Sequence, residues 1–231
     1  MPQGYARPEL LVDTDWVAQH LSDPNVRIVD CDNRDAYRRA HIPGAVNPTE
    51  HYFKNPQDSK FIMTPEQFAG AMEALGIGDD TQIIAYDGFG SLYAARLWWC
   101  LRYYGHHNVK VVNGGWQKWL SEGRPASFKE PRYSKPRFTP KPSPSALATV
   151  EDMKAAIKRK DAVVLDTRSQ EEWTGENPRG SKRGGHMPGA VHLEWLNYVT
   201  SDDLKTFKPA EELKEMFQQA GVTPEKRVLT L

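Results

Sequence analysis

Cysteine is scarce in this chain, with two thiols, Cys31 and Cys100, among 231 residues. So few cannot build a disulfide framework, and they fit a reducing compartment. Net charge is lacking too: 30 Lys and Arg balance 30 Asp and Glu, so no bias points to nucleic acid or an anionic membrane surface as partner. No apolar run approaches the roughly 18 residues that a bilayer-spanning helix needs. The first residues, Met1-Pro2-Gln3-Gly4-Tyr5-Ala6-Arg7, hold no apolar signal core. A soluble, cytoplasmic protein is the expectation. A metal site is not expected either, because no Cys or second His stands at ligand spacing from His41 or His186.

What the chain does have is a repeat. Ile28-Val29-Asp30 leads to His41-Ile42-Pro43-Gly44-Ala45-Val46, and Val164-Leu165-Asp166 leads to His186-Met187-Pro188-Gly189-Ala190-Val191. Asp30 and Asp166 lie 136 positions apart, whereas His41 and His186, like Gly76 and Gly221, lie 145 apart. The second copy therefore inserts nine residues between its Asp and its His and keeps register afterwards. A period this long signals a duplicated domain rather than a solenoid, whose units run to roughly 20 to 50 residues. The expected domains are residues 8–124 and 147–231.

Between them, residues 125–146 carry Pro125, Pro131, Pro136, Pro140, Pro142 and Pro144 with Lys and Arg interspersed. This composition predicts a semi-rigid connector that wraps over the first domain with its cations in solvent. By register the second copy is incomplete, without counterparts of residues 87–123. An exposed sheet edge is expected to follow, and with it dimerisation or aggregation.

Local signals predict alternating strands and helices. Asp13 or Thr14 can cap a helix over 15–21, and strands are expected at 27–30, 82–86, 109–112 and 162–166. Thr64-Pro65-Glu66-Gln67 reads as an N-cap, Pro at the first helical position and a capping-box Gln. Further helices are expected over 92–104, 116–122 and 150–159, with a tight turn at Asn113-Gly114-Gly115. The class is α/β with mainly parallel sheets flanked by helices.

Asp166-x-Arg168-x-x-x-Glu172, Gly185-His186-Met187-Pro188-Gly189-Ala190, Asn113-Gly114-Gly115-Trp116 and the duplication itself resemble the tandem rhodanese-like sulfurtransferases. The resemblance covers nearly the whole chain. It implies two rhodanese-like domains and a cysteine persulfide at the start of the strand-to-helix loop of the second one. Such a loop aims successive N–H groups at an anion and so stabilises a thiolate. No catalytic side chain then falls inside the chain, because the register puts the nucleophile immediately after Leu231. A small anionic donor such as thiosulfate would give sulfane sulfur to that thiolate, and cyanide or a thiol, including a thioredoxin-like protein, would collect it. No cofactor is implied.

Within the second copy the substrate-binding candidates are Arg168, Arg179 and Arg183, with Lys182 in the same insert; the alternative is that Arg168 only pairs with a nearby carboxylate to hold the loop and that the insert charges are only solvated. Asp166, Glu172 and His186 are expected to support the loop. His41 and His186 read as turn-fixing residues rather than general bases. Asp87 occupies the nucleophile's place in the first copy, where a carboxylate forms no persulfide. Cys31, beside Asp30 and Asp32, and Cys100, among Trp98, Trp99 and Leu101, read as structural. The vertebrate thiosulfate enzymes carry Arg where Glu172 stands here, which leaves 3-mercaptopyruvate or a protein persulfide open as donor. Phosphatases of the same fold place Cys in a loop one residue longer. A second functional reading is an inactive rhodanese-like module with a binding or regulatory role.

Overall fold

The structure is a computed structural model, described over residues 4–231. It forms two compact units, one built on Ala6–Ala146, the other on Leu147–Thr200 and Phe207–Leu231.

The first unit runs β1 (Leu11–Val12), α1 (Thr14–Gln19), β2 (Val26–Asp30), α2 (Arg34–Arg39), α3 (Pro65–Ala74), β3 (Gln82–Tyr86), α4 (Leu92–Tyr103), β4 (Val109–Val112) and α5 (Gly115–Ser121). The strands form one parallel sheet in the order β1-β4-β3-β2, with Val26 opposite Gln82 and Asp30 opposite Tyr86. Strands covered by helices on both faces have no solvent side, which is why β2 is buried throughout and β3 at four of its five residues. Their residues alternate between two layers. Val29, Ile83 and Ala85 pack with Phe68 and Met72 of α3 and Leu97 and Leu101 of α4. Ile28, Ile84 and Tyr86 pack with Val17 of α1 and Trp119 of α5.

Helix starts follow their caps. Asp13 accepts from the Trp16 N–H at 2.8 Å, and Thr64 with Gln67 closes a full capping box ahead of Pro65. Two helices end two or more residues sooner than expected. After Gln19 the His20 N–H bonds back three residues to Val17, and the His20 ring stacks on Trp16, which stops α1 short of residue 21. The helix expected over 150–159 stops at Ala156 because Lys158 and Arg159 turn to carbonyls three residues back, Ala155 and Ala156.

Residues 125–146 lie along the first unit. Ser127 bridges His41, the Arg27 guanidinium sits 3.2 Å from the Tyr133 ring centre, and Phe138 is buried in the core beside Phe68. Lys141 and Ser143 donate backbone bonds to Tyr104 and Tyr103.

The second unit contains α6 (Val150–Ala156), β5 (Ala162–Asp166), α7 (Gln170–Thr174), β6 (Val191–His192), α8 (Ala210–Gln219) and β7 (Arg227–Thr230). Its parallel sheet has the order β6-β5-β7. The repeat is kept in three dimensions: β5 and α7 begin 136 positions after β2 and α2, and α8 and β7 begin 145 after α3 and β3. The core here is smaller, made of Met153, Ala156, Val164 and Leu229. Of β7 only Leu229 is buried, whereas β3 buries four of its five residues.

Candidate functional site

In both units the chemistry-bearing side chains gather at the carboxyl ends of the strands, where open α/β sheets bind ligands. In the first unit, β3 leads into the loop Asp87-Gly88-Phe89-Gly90-Ser91, whose N–H groups converge on one carboxylate, that of Asp87 itself. Its Oδ1 accepts from Phe89 and Ser91, each at 2.9 Å, and its Oδ2 from Tyr93 at 2.7 Å and Ala94 at 2.8 Å. Asp87 thus fills an anion nest with its own side chain. Burial pushes its carboxyl up despite the four donors. The turn at Gly114-Gly115 closes against it, with the Trp116 N–H on the Asp87 carbonyl at 2.9 Å. A Cβ on Gly115 would sit 2.1 Å from that carbonyl oxygen, at φ +50, so only glycine fits.

Two more carboxyls flank the loop. Asp30 accepts from the Tyr86 hydroxyl at 2.7 Å, and that hydroxyl accepts from the Ile42 N–H at 3.0 Å. Burial pushes Asp30 up to about 6, against the opposing pull of Tyr86. Asp32 accepts from the Gly88 N–H at 2.9 Å and is pushed up to about 7 by burial and by Asp30 and Asp87. Cys31 lies between these carboxyls and is fully buried; burial, then Asp87, Asp30 and Asp32, drive its thiol far up. Burial pushes Cys100 up to about 12. Neither is a thiolate at neutral pH.

The second unit inverts the charge. Arg168 stands 136 positions after Asp32 and grips Asp166 with two bonds, Nε to Oδ1 at 2.9 Å and Nη2 to Oδ2 at 2.5 Å. Its Nη2 also donates to the Gly185 carbonyl at 3.1 Å. Burial alone would raise Asp166; the Arg168 bonds outweigh it and hold the carboxyl below its usual range. Glu172 lies 4.0 Å from Arg168 and 3.6 Å from Arg179. The insert is pinched at its base, because a Cβ on Gly184 would meet the Gly175 carbonyl oxygen at 2.5 Å. Arg179, Lys182 and Arg183 are all exposed on the loop so formed. Beside it, the Leu231 N–H donates to Leu165 at 3.0 Å and Thr167 donates to the Leu231 carbonyl at 2.8 Å, which ties the end of β7 to the end of β5.

The two histidines have one geometry. His41 stacks on Tyr37 at 4.0 Å and contacts its carbonyl through Nδ1 at 2.8 Å; His186 does the same with Trp173, at 3.5 Å and 2.9 Å. Tyr37 and Trp173 occupy equivalent places in α2 and α7. His41 is buried and also meets the Lys129 carbonyl, whereas His186 is exposed.

Of the residues expected from sequence, Asp166, Arg168, Glu172 and Arg179 form one network, Arg183 lies on the exposed insert, and His186 stacks on α7. Sequence reading missed Tyr86 as the partner of Asp30, the aromatic shelf beneath each histidine, and the buried anchors Arg27 and Phe138. The shelves were discoverable, since Tyr37 and Trp173 keep the 136-residue register.

This duplicated architecture matches the family model of the rhodanese-like domain over residues 13–122 and 149–231. The chain belongs to the rhodanese-like family, as a tandem-domain member. It is 38% identical to the "Sulfur carrier protein TtuD" of Thermus thermophilus, across 98% of this chain and 83% of that protein. Bovine thiosulfate sulfurtransferase is 32% identical, across 92% of this chain and 77% of its own length. Among solved structures, the 3-mercaptopyruvate sulfotransferase SseA of Escherichia coli superposes with a TM-score of 0.85 at 27% identity, covering 96% of this chain and 87% of that one.

Proposed function

We propose that the intact protein is a sulfurtransferase that moves sulfane sulfur from thiosulfate, or a related anionic donor, to cyanide or a thiol through a cysteine persulfide in its second domain. The observation that carries this is the pairing of Asp166 with Arg168 at the end of β5, beside the end of β7 and next to a cationic insert. A thiolate following Leu231 would attack the outer sulfur of the donor; the S–S bond breaks, and sulfite leaves with the electron pair. Attack of cyanide or a thiolate on the outer persulfide sulfur then returns the cysteine thiolate. Arg168 is engaged with Asp166 and acts as a positioning residue. Arg179, paired with Glu172, and Arg183, exposed on the insert, meet the donor's charge.

Related proteins support the class and differ in donor: one is named for thiosulfate, another for 3-mercaptopyruvate. The test is the intact mass of the protein from its source together with thiosulfate:cyanide turnover. A longer product with a cysteine directly after Leu231, turning over and gaining one sulfur in mass, is expected. A native product ending at Leu231 without turnover would instead establish the second reading, a binding or regulatory module. That reading draws on the burial of both thiols in the chain, Cys31 and Cys100.

A further inference from the structure

Consecutive carbonyls of the turn after β5 are held from the exit of β6. The Leu193 N–H donates to the Asp166 carbonyl and the Trp195 N–H to the Thr167 carbonyl, each at 3.0 Å. The next carbonyl, that of Arg168, meets a side chain instead, His192 Nε2 at 2.8 Å. A carbonyl only accepts, so the ring proton sits on Nε2. The His192 ring lies nearly parallel to the Trp173 indole of α7, with 4.9 Å between ring centres.

The first copy makes this clamp with another group. Asn47 stands 145 positions before His192, and its Nδ2 donates to the Asp30 carbonyl at 2.9 Å and the Asp32 carbonyl at 2.8 Å. The residue that follows explains the exchange. Pro48 has no N–H to offer Asp30, so the Asn47 amide serves both carbonyls. Leu193 gives its own N–H to Asp166, and only the Arg168 carbonyl is left for the side chain. A single N–H is enough there, and imidazole supplies it from a ring packed on α7.

Arg168 is then fixed along its whole length. Its N–H donates to Asp166 Oδ1 at 3.1 Å, its carbonyl accepts from His192, and its guanidinium reaches Asp166 and the Gly185 carbonyl at the base of the insert. On the sulfurtransferase reading above, we propose that His192 is a positioning residue for capture of the sulfur donor. Its Nε2–H clamps the Arg168 main chain, which keeps the guanidinium on Asp166 and Gly185 and so anchors the insert that presents Arg179 and Arg183.

The test uses the intact protein and two variants. His192→Phe keeps a ring to lie on Trp173 and removes the N–H; His192→Asn removes the ring and keeps an N–H, as in the first copy. In thiosulfate:dithiothreitol turnover, kcat/KM for thiosulfate should fall about tenfold in His192→Phe, the worth of one hydrogen bond, while kcat/KM for dithiothreitol stays within about twofold. Loss of folded protein would lower both alike. His192→Asn should stay within about threefold of the unaltered protein. No fall in His192→Phe, an equal fall in both variants, or a fall shared by both half-reactions would each overturn the proposal.

Exchange of the Arg168 Nε–H, followed by nitrogen-15 NMR, reads the clamp without turnover. It should quicken about tenfold in His192→Phe and hold in His192→Asn. Quickened exchange in a protein that never turns over thiosulfate would sink the sulfurtransferase reading and keep the clamp; unchanged exchange beside normal turnover would sink the clamp alone. The unaltered protein should show the His192 ring proton on Nε2, and a proton on Nδ1 alone would overturn the proposal even if neither variant folds.

Discussion

Asp30 and Asp166 end equivalent strands of the two copies, and their surroundings have opposite charge. Around Asp30 the neighbours are Tyr86, Asp32 and Asp87, so burial dominates and the carboxyl holds its proton to about 6. Around Asp166 the neighbour is Arg168, and the carboxyl ionises below its usual range. Burial raises the first carboxyl and the Arg168 bonds lower the second, and Asp32 of the first copy stands where Arg168 stands in the second.

The sharpest way to break the contrast is to empty the first nest. Asp87→Ala leaves four N–H groups, two of the loop and two of the first turn of α4, without their carboxylate and should cost about 4 kcal/mol of first-unit stability, given about 1 kcal/mol or more per orphaned donor. Hydrogen exchange at Ile84 and Ala85 reads it; a loss under about 1 kcal/mol would mean the loop does not need its plug.

Next comes pH. Asp30 and Asp32 have folded values above 3.8, at about 6 and about 7. Their protonated forms are favoured by folding, so the stabilisation is present below about pH 4 and lost as pH rises through 6 and 7, a change on the order of 3 kcal/mol for each group. Asp166 is shifted the other way; its stabilisation is present above the ordinary carboxylate value and lost as pH falls below it. Exchange protection of β2 should therefore fall from pH 5 to 8, and that of β5 from pH 5 to 3. Parallel curves would erase the distinction between the copies.

Arg168→Ala strands the buried Asp166 and should cost about 2 kcal/mol, discounted because the arginine is one-third exposed. The same change should lift the Asp166 carboxyl toward that of Asp30, which carbon-13 NMR titration would register. The smallest effect compares the histidines. His41→Ala should cost about 1 kcal/mol more than His186→Ala, since only His41 is buried and meets a second carbonyl. Equal losses would show that the aromatic shelf alone does the work.

Much of this was legible in residues. The capping box at Thr64, the helix start at Leu92 and the strands over 82–86 and 109–112 follow from local chemistry, and the offsets of 136 and 145 aligned the two copies before any coordinates. Helix ends were less legible, because α1 and α6 are stopped by turns whose side chains carry no strong signal. The roles of site residues were hardest to read. Arg168 could be read as a cation for the substrate or as the partner of a nearby carboxylate, and the choice between them, its commitment to Asp166, depends on geometry that spacing does not encode.

The Asp87 plug also bears on oxidative damage. A nest that holds a cysteine exposes it to peroxide and to over-oxidation toward sulfinic and sulfonic acids. A nest filled by aspartate has no sulfur to lose, and the two thiols of the first unit are walled in by its core. Oxidation of a thiol therefore has no foothold in the first copy, whose cysteines are both buried.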